Sequence, residues 1–389
     1  MKIANRMENL SPSVTMAITA LARELKAQGK DILSFSAGEP DFDTPEIIKQ
    51  AAIKAINDGQ TKYTAVEGII ATKQAIINKL KKDHNLDYKL DNILISNGAK
   101  HSLFNLFQVL VEEGDEVIIP APYWVTYPEQ VKFSDGVPVF IDTDDSTEFK
   151  ITPEQLKAVI TPKTKILLLN TPSNPTGSVY TKEELTALGK VLEGTDIIVL
   201  SDEMYEKIIY NGKKFTAAAE VSEDMFKRTV TINGLSKAVA MTGWRFGYLA
   251  SPDVKLVKAL TKLQGQVTSN INTMTQYAAI PALEGDADAD IEMMRAAFEE
   301  RKNIVVKSFN EIKGLSTIDP DGAFYAFVNI KDVTNDSMKF CADLLEQKGV
   351  ALVPGLAFGT EGYVRFSFAT DLATIQEGIK RIKEFVGNK

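Results

Sequence analysis

The sequence predicts an α/β protein: a large domain built on a mainly parallel seven-stranded sheet covered by helices, with a smaller α+β domain beside it. Three observations carry this prediction. Short apolar runs alternate with amphipathic helical patterns across residues 45–285. Several of those runs, among them Ile166-Leu-Leu-Leu169 and Ile197-Ile-Val-Leu200, are apolar on both faces, as strands covered on both sides must be. Beyond residue 285 the alternation gives way to one long helical segment and short strands. A chain of 389 residues also exceeds what one hydrophobic core usually serves, so two domains are expected.

The strands of the large sheet are predicted at 93–96, 116–120, 137–141, 165–170, 197–201, 230–232 and 247–250. Helix starts lie between them. Thr44-Pro45 reads as an N-cap and first-turn proline ahead of Ile47, Ile48, Ala51, Ala52, Ala55 and Ile56. Thr181-Lys-Glu-Glu184 and Thr152-Pro153-Glu154-Gln155 are capping boxes, in which hydroxyl and N3 side chain satisfy each other's backbone N–H groups. Alternation of this kind implies parallel strands joined by helices. The tail is predicted as a helix over 288–312, strands over 323–329, 349–353 and 363–368, and helices over 337–347 and 373–386. The resulting division is a large domain at 45–285 and a small domain formed by 286–389 with the N-terminal arm, 1–44. No internal repeat or heptad pattern competes with this reading.

Composition removes several function classes. The hydrophobic share of 44% and charged share of 25% are those of a soluble globular chain. A net charge of -8 argues against nucleic acid or anionic membrane as partner. Cys341 is the only cysteine, so no intrachain disulfide forms and a reducing, cytoplasmic setting is expected. Residues 1–10 lack the apolar core of a signal peptide, and no apolar run approaches the roughly 20 residues that span a bilayer.

In open parallel sheets, ligands lie beyond the carboxyl ends of the strands. The unusual residues of this chain gather at those ends. Asn233-Gly-Leu-Ser-Lys237-Ala-Val-Ala-Met-Thr-Gly-Trp-Arg245 places a lysine just past an apolar run, among small residues that admit a flat ligand. Held away from water, such a lysine loses its proton and acts as an amine nucleophile toward an aldehyde. Arg245 offers a bidentate seat for a phosphate. Lysine for a Schiff base with arginine for a phosphate is what a pyridoxal phosphate site requires. Taken alone, the pair reads first as a surface Lys and a surface Arg, since lysine is mostly exposed, and the rest of the chain overturns that reading.

Other strand ends add to the pattern. Asn97-Gly98-Ala99-Lys100 precedes a helix and exposes backbone N–H groups, a natural phosphate seat, although Asn-Gly before a helix is also ordinary turn chemistry. Asn170-Thr-Pro-Ser-Asn174-Pro175-Thr-Gly177 is a rigid loop aiming one amide. Ser201-Asp202-Glu203-Met204-Tyr205 ends a buried strand in an aspartate that needs a cation facing it, such as a pyridinium nitrogen; the alternative is a helix N-cap. Tyr205 follows on the same loop. Arg365, among aromatics in Tyr363-Val-Arg-Phe-Ser-Phe368, calls for a carboxylate, from the protein or from a substrate. Gly38 lets a ligand approach backbone, and Tyr63 and Trp124 supply aromatic faces.

With these residues in place the chain resembles, over essentially its whole length, the class I/II aminotransferases of pyridoxal phosphate fold type I. The resemblance is closest to the bacterial aspartate aminotransferase branch that includes prephenate-using enzymes. Its carriers are Ser36-Ala-Gly-Glu-Pro-Asp-Phe-Asp-Thr-Pro45, Lys62-Tyr63-Thr64, Asn97-Gly-Ala-Lys100, Ala121-Pro-Tyr-Trp124, Asn170 to Gly177, Ser201 to Tyr205, Ser236-Lys237 with Gly243-Trp-Arg245, and Arg365-Phe-Ser-Phe-Ala369.

The resemblance implies that Lys237 forms the Schiff base with pyridoxal 5'-phosphate and then carries the substrate proton. It implies that Asp202 pairs with the ring nitrogen, that Tyr205 and Asn174 contact the ring oxygen, and that Trp124 stacks on the ring. Ser236, Arg245 and the Ala99-Lys100 backbone would hold the phosphate. Arg365, with Asn174 and the Gly38 backbone, would bind the substrate α-carboxylate. Tyr63 would reach the phosphate of a neighbouring subunit, so a homodimer with shared sites follows. The implied reaction is transamination of aspartate with 2-oxoglutarate, giving oxaloacetate and glutamate. Aromatic, alanine or prephenate transamination, or β-elimination on the same residues, are the alternatives.

Two departures bear on the substrate. Thr268-Ser-Asn-Ile-Asn-Thr273 stands where better-known relatives place an arginine for a distal carboxylate, which leaves Thr15 and Lys100 as candidate readers. Ser11 precedes Pro12 where some prephenate-using relatives carry lysine. A nicotinamide enzyme is disfavoured, because no Gly-x-Gly-x-x-Gly follows a predicted strand. A regulatory module is disfavoured for want of a basic N-terminal helical segment. No metal site is expected: His84 and His101 lack ligand spacing, and His84 lies in Lys81-Lys-Asp-His84, which reads as solvent-facing.

Overall fold

The computed structural model describes residues 3–387. Seven strands form one sheet in the order Ile93–Asn97, Phe246–Ala250, Thr229–Gly234, Ile198–Asp202, Thr164–Asn170, Glu116–Ala121, Val137–Asp142. All neighbours are parallel except Phe246–Ala250, which runs antiparallel to both strands beside it. The predicted strands are thus present, each shifted at its ends by a residue or so. Register aligns the carboxyl ends: Asn170 pairs with Asp202, and Asp202 with Ile232.

Both capping boxes form. Thr181 accepts from Glu184 N at 3.2 Å, and Thr152 accepts from Gln155 N at 3.2 Å with Pro153 in the first turn. Thr44 behaves differently. The helix Glu46–Asn57 has Pro45 as its N-cap, and the Thr44 hydroxyl instead donates to Ala240 O at 2.7 Å and accepts from Trp244 Nε1 at 2.9 Å. A tertiary contact nearly 200 residues away in sequence has taken the hydroxyl that the local pattern assigned to a cap.

A second, antiparallel sheet has the order Val353–Pro354, Tyr363–Ser367, Tyr325–Asn329. The strand predicted over 349–353 is split between two sheets: Val350–Ala351 pairs in parallel with Leu33–Ser34, while Val353–Pro354 forms an edge, where proline's missing N–H costs no ladder bond. The strand predicted from Ala323 starts at Tyr325, because Ala323 has φ 58° and turns out of extended geometry. The arm also contains a helix, Val14–Ala27, that the sequence reading did not assign.

One continuous apolar cluster joins the two sheets, from Leu94, Ile119 and Leu200 through Phe298 and Phe324 to Phe366 and Ile382. The clustered helix Asp288–Asn310 contributes Met294, Phe298, Val305 and Phe309 to it. Burial on this scale fixes how the strand ends of the large sheet face Arg365 on the smaller one.

Candidate active site

A cavity of about 280 Å³ opens at the carboxyl ends of the parallel strands, between the two sheets. It brings together Lys237, Asp202, Tyr205, Asn174, Ser236, Arg245, Ala99, Lys100, Trp124, Arg365, Gly38 and Thr15, residues scattered over most of the chain. Tyr63 is the predicted site residue outside it, with 90% of its surface exposed.

Asp202 ends the strand Ile198–Asp202, and no helix follows it, so its carboxylate is not an N-cap. It is 4% exposed, yet its partners are neutral: Tyr127 Oη donates to Oδ2 at 2.8 Å and Met204 N to Oδ1 at 3.3 Å. Burial pushes this carboxyl up to about 6. Lys237, just past the strand Thr229–Gly234, donates from Nζ to the carbonyl of Gly38. Burial lowers the Lys237 amine to about 8, which brings its neutral form within reach near physiological pH.

At one end of the cavity the helix Ala99–Leu110 begins behind Gly98, whose φ is 79°. A Cβ on Gly98 would lie 2.6 Å from Arg245 Nη2, and one on Gly247 would collide with Ala99 N. Two bare glycines therefore let the guanidinium and the helix start converge on one point. Arg245, itself left-handed at φ 59°, donates to the carbonyls of Thr242 at 2.9 Å and Asn97 at 3.4 Å. Backbone N–H groups, a helix dipole and an arginine together make an anion seat.

At the other end Arg365 is 2% exposed. Nη1 donates to Asn174 Oδ1 and Nη2 to Ser36 O, both at 2.8 Å, while the buried Nε has no hydrogen-bond partner. The guanidinium lies over the Tyr325 ring at 4.4 Å. Asn174 is fixed in turn, its N–H donating to Asn170 Oδ1 at 2.9 Å, and Asn170 Nδ2 donates to the carbonyl of Asp202 at 3.0 Å. Lys100 Nζ sits 4.8 Å above the Trp124 ring.

Sequence reasoning missed Tyr127, Asn170, Met204, Thr242 and Tyr325, which also line the cavity. Tyr127 lies one helical turn beyond Trp124, so a search for aromatic spacing around that motif would have found it. Tyr325, whose hydroxyl is 2.9 Å from that of Tyr205, comes from the other sheet and had no local signal. His84 corrects a prediction: its side chain is only 6% exposed, not solvent-facing. It joins Asp83 and Glu206 in a cluster of possible metal ligands, but both ring nitrogens are taken by Glu206 and Glu220, and Lys79 and Lys207 occupy the carboxylates.

Residues 30–382 match the family described as aminotransferase class I and II. The chain is 49% identical to the aspartate aminotransferase of Bacillus subtilis over 99% of both proteins. It is 48% identical to an aspartate/prephenate aminotransferase of Nitrosomonas europaea, over 98% of this chain and 99% of that protein. The solved aspartate aminotransferase of Rhizobium meliloti superposes with a TM-score of 0.96 at 41% identity, covering 100% of this chain and 99% of its own. The fold and site define a pyridoxal 5'-phosphate enzyme, and the chain belongs to the class I and II aminotransferases. Its reaction is transamination. The residues fit the cofactor: the anion seat suits a phosphate, and a buried carboxylate with only neutral partners suits a cationic ring nitrogen.

Proposed function

We propose that this enzyme moves the amino group of L-aspartate to 2-oxoglutarate, giving oxaloacetate and glutamate. One observation carries the choice of a dicarboxylic substrate. Among the described residues, Lys100, Arg245 and Arg365 line the cavity with no carboxylate paired to any of them, and the one acidic lining residue is Asp202. One cation suffices for a phosphate. The other two suit the two ends of a dicarboxylate. Thr15, whose buried hydroxyl has no partner among the described residues, lines the same cavity and would assist Lys100 with the distal carboxylate.

Ser236, Arg245 and the start of the helix Ala99–Leu110 would hold the phosphate, Asp202 the ring nitrogen, Tyr205 and Asn174 the ring oxygen, and Trp124 a ring face. Bound there, pyridoxal 5'-phosphate supplies an aldehyde carbon for the amines and a ring that draws electrons from the substrate Cα. Arg365 and Asn174, with the Gly38 backbone, orient the α-carboxylate and so set which Cα bond stands across the ring. Lys237 Nζ would take the proton from the substrate Cα and return it two atoms along, at the carbon across the amino nitrogen, which an amine whose pKa lies at about 8 does in either direction.

We assign residues 45–285 to the cofactor-binding domain, and 1–44 with 286–389 to the small domain. A homodimer is supported by the apolar side chains left exposed: Ile47, Ile53, Ile56, Ile70 and Val267, beside Tyr63. In that dimer Tyr63 serves the neighbour's phosphate. A cytoplasmic setting is supported by the lone, buried Cys341; no helix among the described residues is long and apolar enough to cross a membrane.

The deciding experiment adds L-aspartate, without any oxo acid, to protein loaded with cofactor. Oxaloacetate equal to the bound cofactor, with the matching change in its absorption band, is the expected result. An unchanged band with aspartate, alongside a response to alanine, an aromatic amino acid or prephenate with glutamate, would reassign the donor or acceptor.

A further inference from the structure

Residues 202–206 leave the strand end as a tight turn, with Glu206 N donating to Glu203 O at 3.0 Å. Its side chains divide between two sides. Asp202 and Tyr205 line the cavity, whereas Glu203 and Glu206 point behind it. Behind the turn, Glu206 Oε2 lies 2.9 Å from His84 Nε2, and its other oxygen is paired with Lys79. His84 Nδ1 lies 3.1 Å from Glu220 Oε2, and the ring packs edge-on against Phe215 at 5.5 Å. Asp83 and Lys207 complete the cluster, 2.7 Å apart. A ring with a carboxylate at each nitrogen is held as imidazolium, because each N–H then donates. The helix Ile70–His84, which carries both Lys79 and His84, contributes no residue to the cavity.

We propose that His84 is a positioning residue: through Glu206 it clamps the turn from behind and thereby sets where Asp202 and Tyr205 meet the cofactor. The inference rests on the reading of Asp202 and Tyr205 as ring contacts. Glu206 is one residue from Tyr205, so a shift of its carboxylate moves the phenol directly. A second clamp acts on the same turn, where Glu203 Oε1 accepts from Ser201 Oγ at 2.8 Å and Ala218 N at 3.1 Å. His84 is thus one anchor among several, beside Lys79 on the same carboxylate and the Glu203 contacts, and its loss loosens the turn without releasing it.

The test uses the loaded enzyme of wild type, His84→Gln, Glu220→Gln and Asp202→Asn, with circular dichroism confirming the fold. Two quantities are read: the cofactor dissociation constant, and the pH midpoint at which the bound cofactor's absorption band changes. A protonated ring nitrogen and a phenol donating to the ring oxygen both favour the deprotonated chromophore, so loosening either raises the midpoint. His84→Gln is expected to raise it by about half a unit and to weaken cofactor binding about threefold to tenfold. Glu220→Gln, which frees the far side of the ring, gives a smaller change in the same direction. Should His84→Gln fail to fold, Glu220→Gln decides by that same shift. A folded His84→Gln that melts earlier but keeps both quantities at wild-type values would make the cluster structural only and overturn the proposal. Asp202→Asn separates the two readings: a silent Asp202→Asn sinks the ring contact itself, whereas a strong effect there with a silent His84→Gln sinks only the clamp.

Discussion

Tyr127 Oη stands 2.8 Å from Asp202 Oδ2, and it is the only side chain that donates to that carboxylate among the described residues. The two are 75 positions apart in sequence and meet because the helix Thr126–Phe133 brings its buried Tyr127 to the cavity that Asp202 also lines. Tyrosine supplies a proton donor without a charge. The aspartate is therefore oriented but not neutralised, and it stays available to a cation arriving from the cavity. Replacing Tyr127 by Phe removes the hydroxyl and leaves one backbone donor at 3.3 Å. Cofactor affinity is expected to fall roughly tenfold, as a lost hydrogen bond of about 1.5 kcal/mol to a charged group implies. Equilibrium dialysis against pyridoxal 5'-phosphate measures it.

Lys237→Ala removes the amine from a cavity that its aliphatic stem only partly fills. The fold is expected to persist, and turnover to drop by at least about 10²–10⁴ from loss of proton transfer alone. Retained conversion of aspartate by the variant would show that the proton moves through another group.

Arg365→Lys keeps the charge and loses the fork that Asn174 and Ser36 hold in plane. A point charge cannot make paired hydrogen bonds to a carboxylate, so KM should rise about 10–100-fold for every amino acid tested, the equivalent of ~1.5–3 kcal/mol. A rise confined to aspartate would make Arg365 a reader of the side chain. Lys100→Met gives the opposite pattern, raising KM for aspartate more than for alanine.

The stability of the cofactor-free protein should depend on pH through Asp202. Its carboxyl lies near 6 in the fold, above the usual value near 4 in an unfolded chain. The folded protein therefore binds the extra proton between these values. Its stabilising effect is complete below about pH 4 and is lost as pH rises through about 6. A bound cation at the ring nitrogen removes that loss. The gap in melting temperature between loaded and cofactor-free protein should accordingly widen from pH 5 to pH 7. A gap constant over that range would mean that Asp202 faces no cation in the loaded enzyme.

Much of the fold and the centre of the site were legible because parallel strands expose their chemistry at one end. Apolar runs located the strands, and Asp202 at the end of one and Lys237 just past the strand Thr229–Gly234 fell into the cavity. Arg365 was legible as a charge among aromatics. What escaped was set by contacts without a local signature. Tyr325 reaches Tyr205 across 120 positions, and Thr44 serves Trp244 across 200. His84 was misread because three charged residues precede it, yet the helix Ile70–His84 buries Thr72, Lys73, Ile76, Lys79 and Leu80, a stripe with helical period that ends at Asp83 and His84. The stripe mixes polar with apolar side chains along its length, and a hydrophobic pattern cannot register that.

The tripeptide from Ser36 to Gly38 carries the last consequence. Its carbonyls accept from Arg365 and Lys237, the two cations that an incoming amino acid and aldehyde must engage. A carboxylate in that place would form permanent ion pairs, and every turnover would begin by breaking them. A peptide carbonyl is a neutral placeholder. It keeps each cation aimed while leaving its charge unspent, and it yields for one exchanged hydrogen bond when an anion arrives. Until an aldehyde or an anion arrives, the two side chains are thus kept in order by partners weak enough to be displaced.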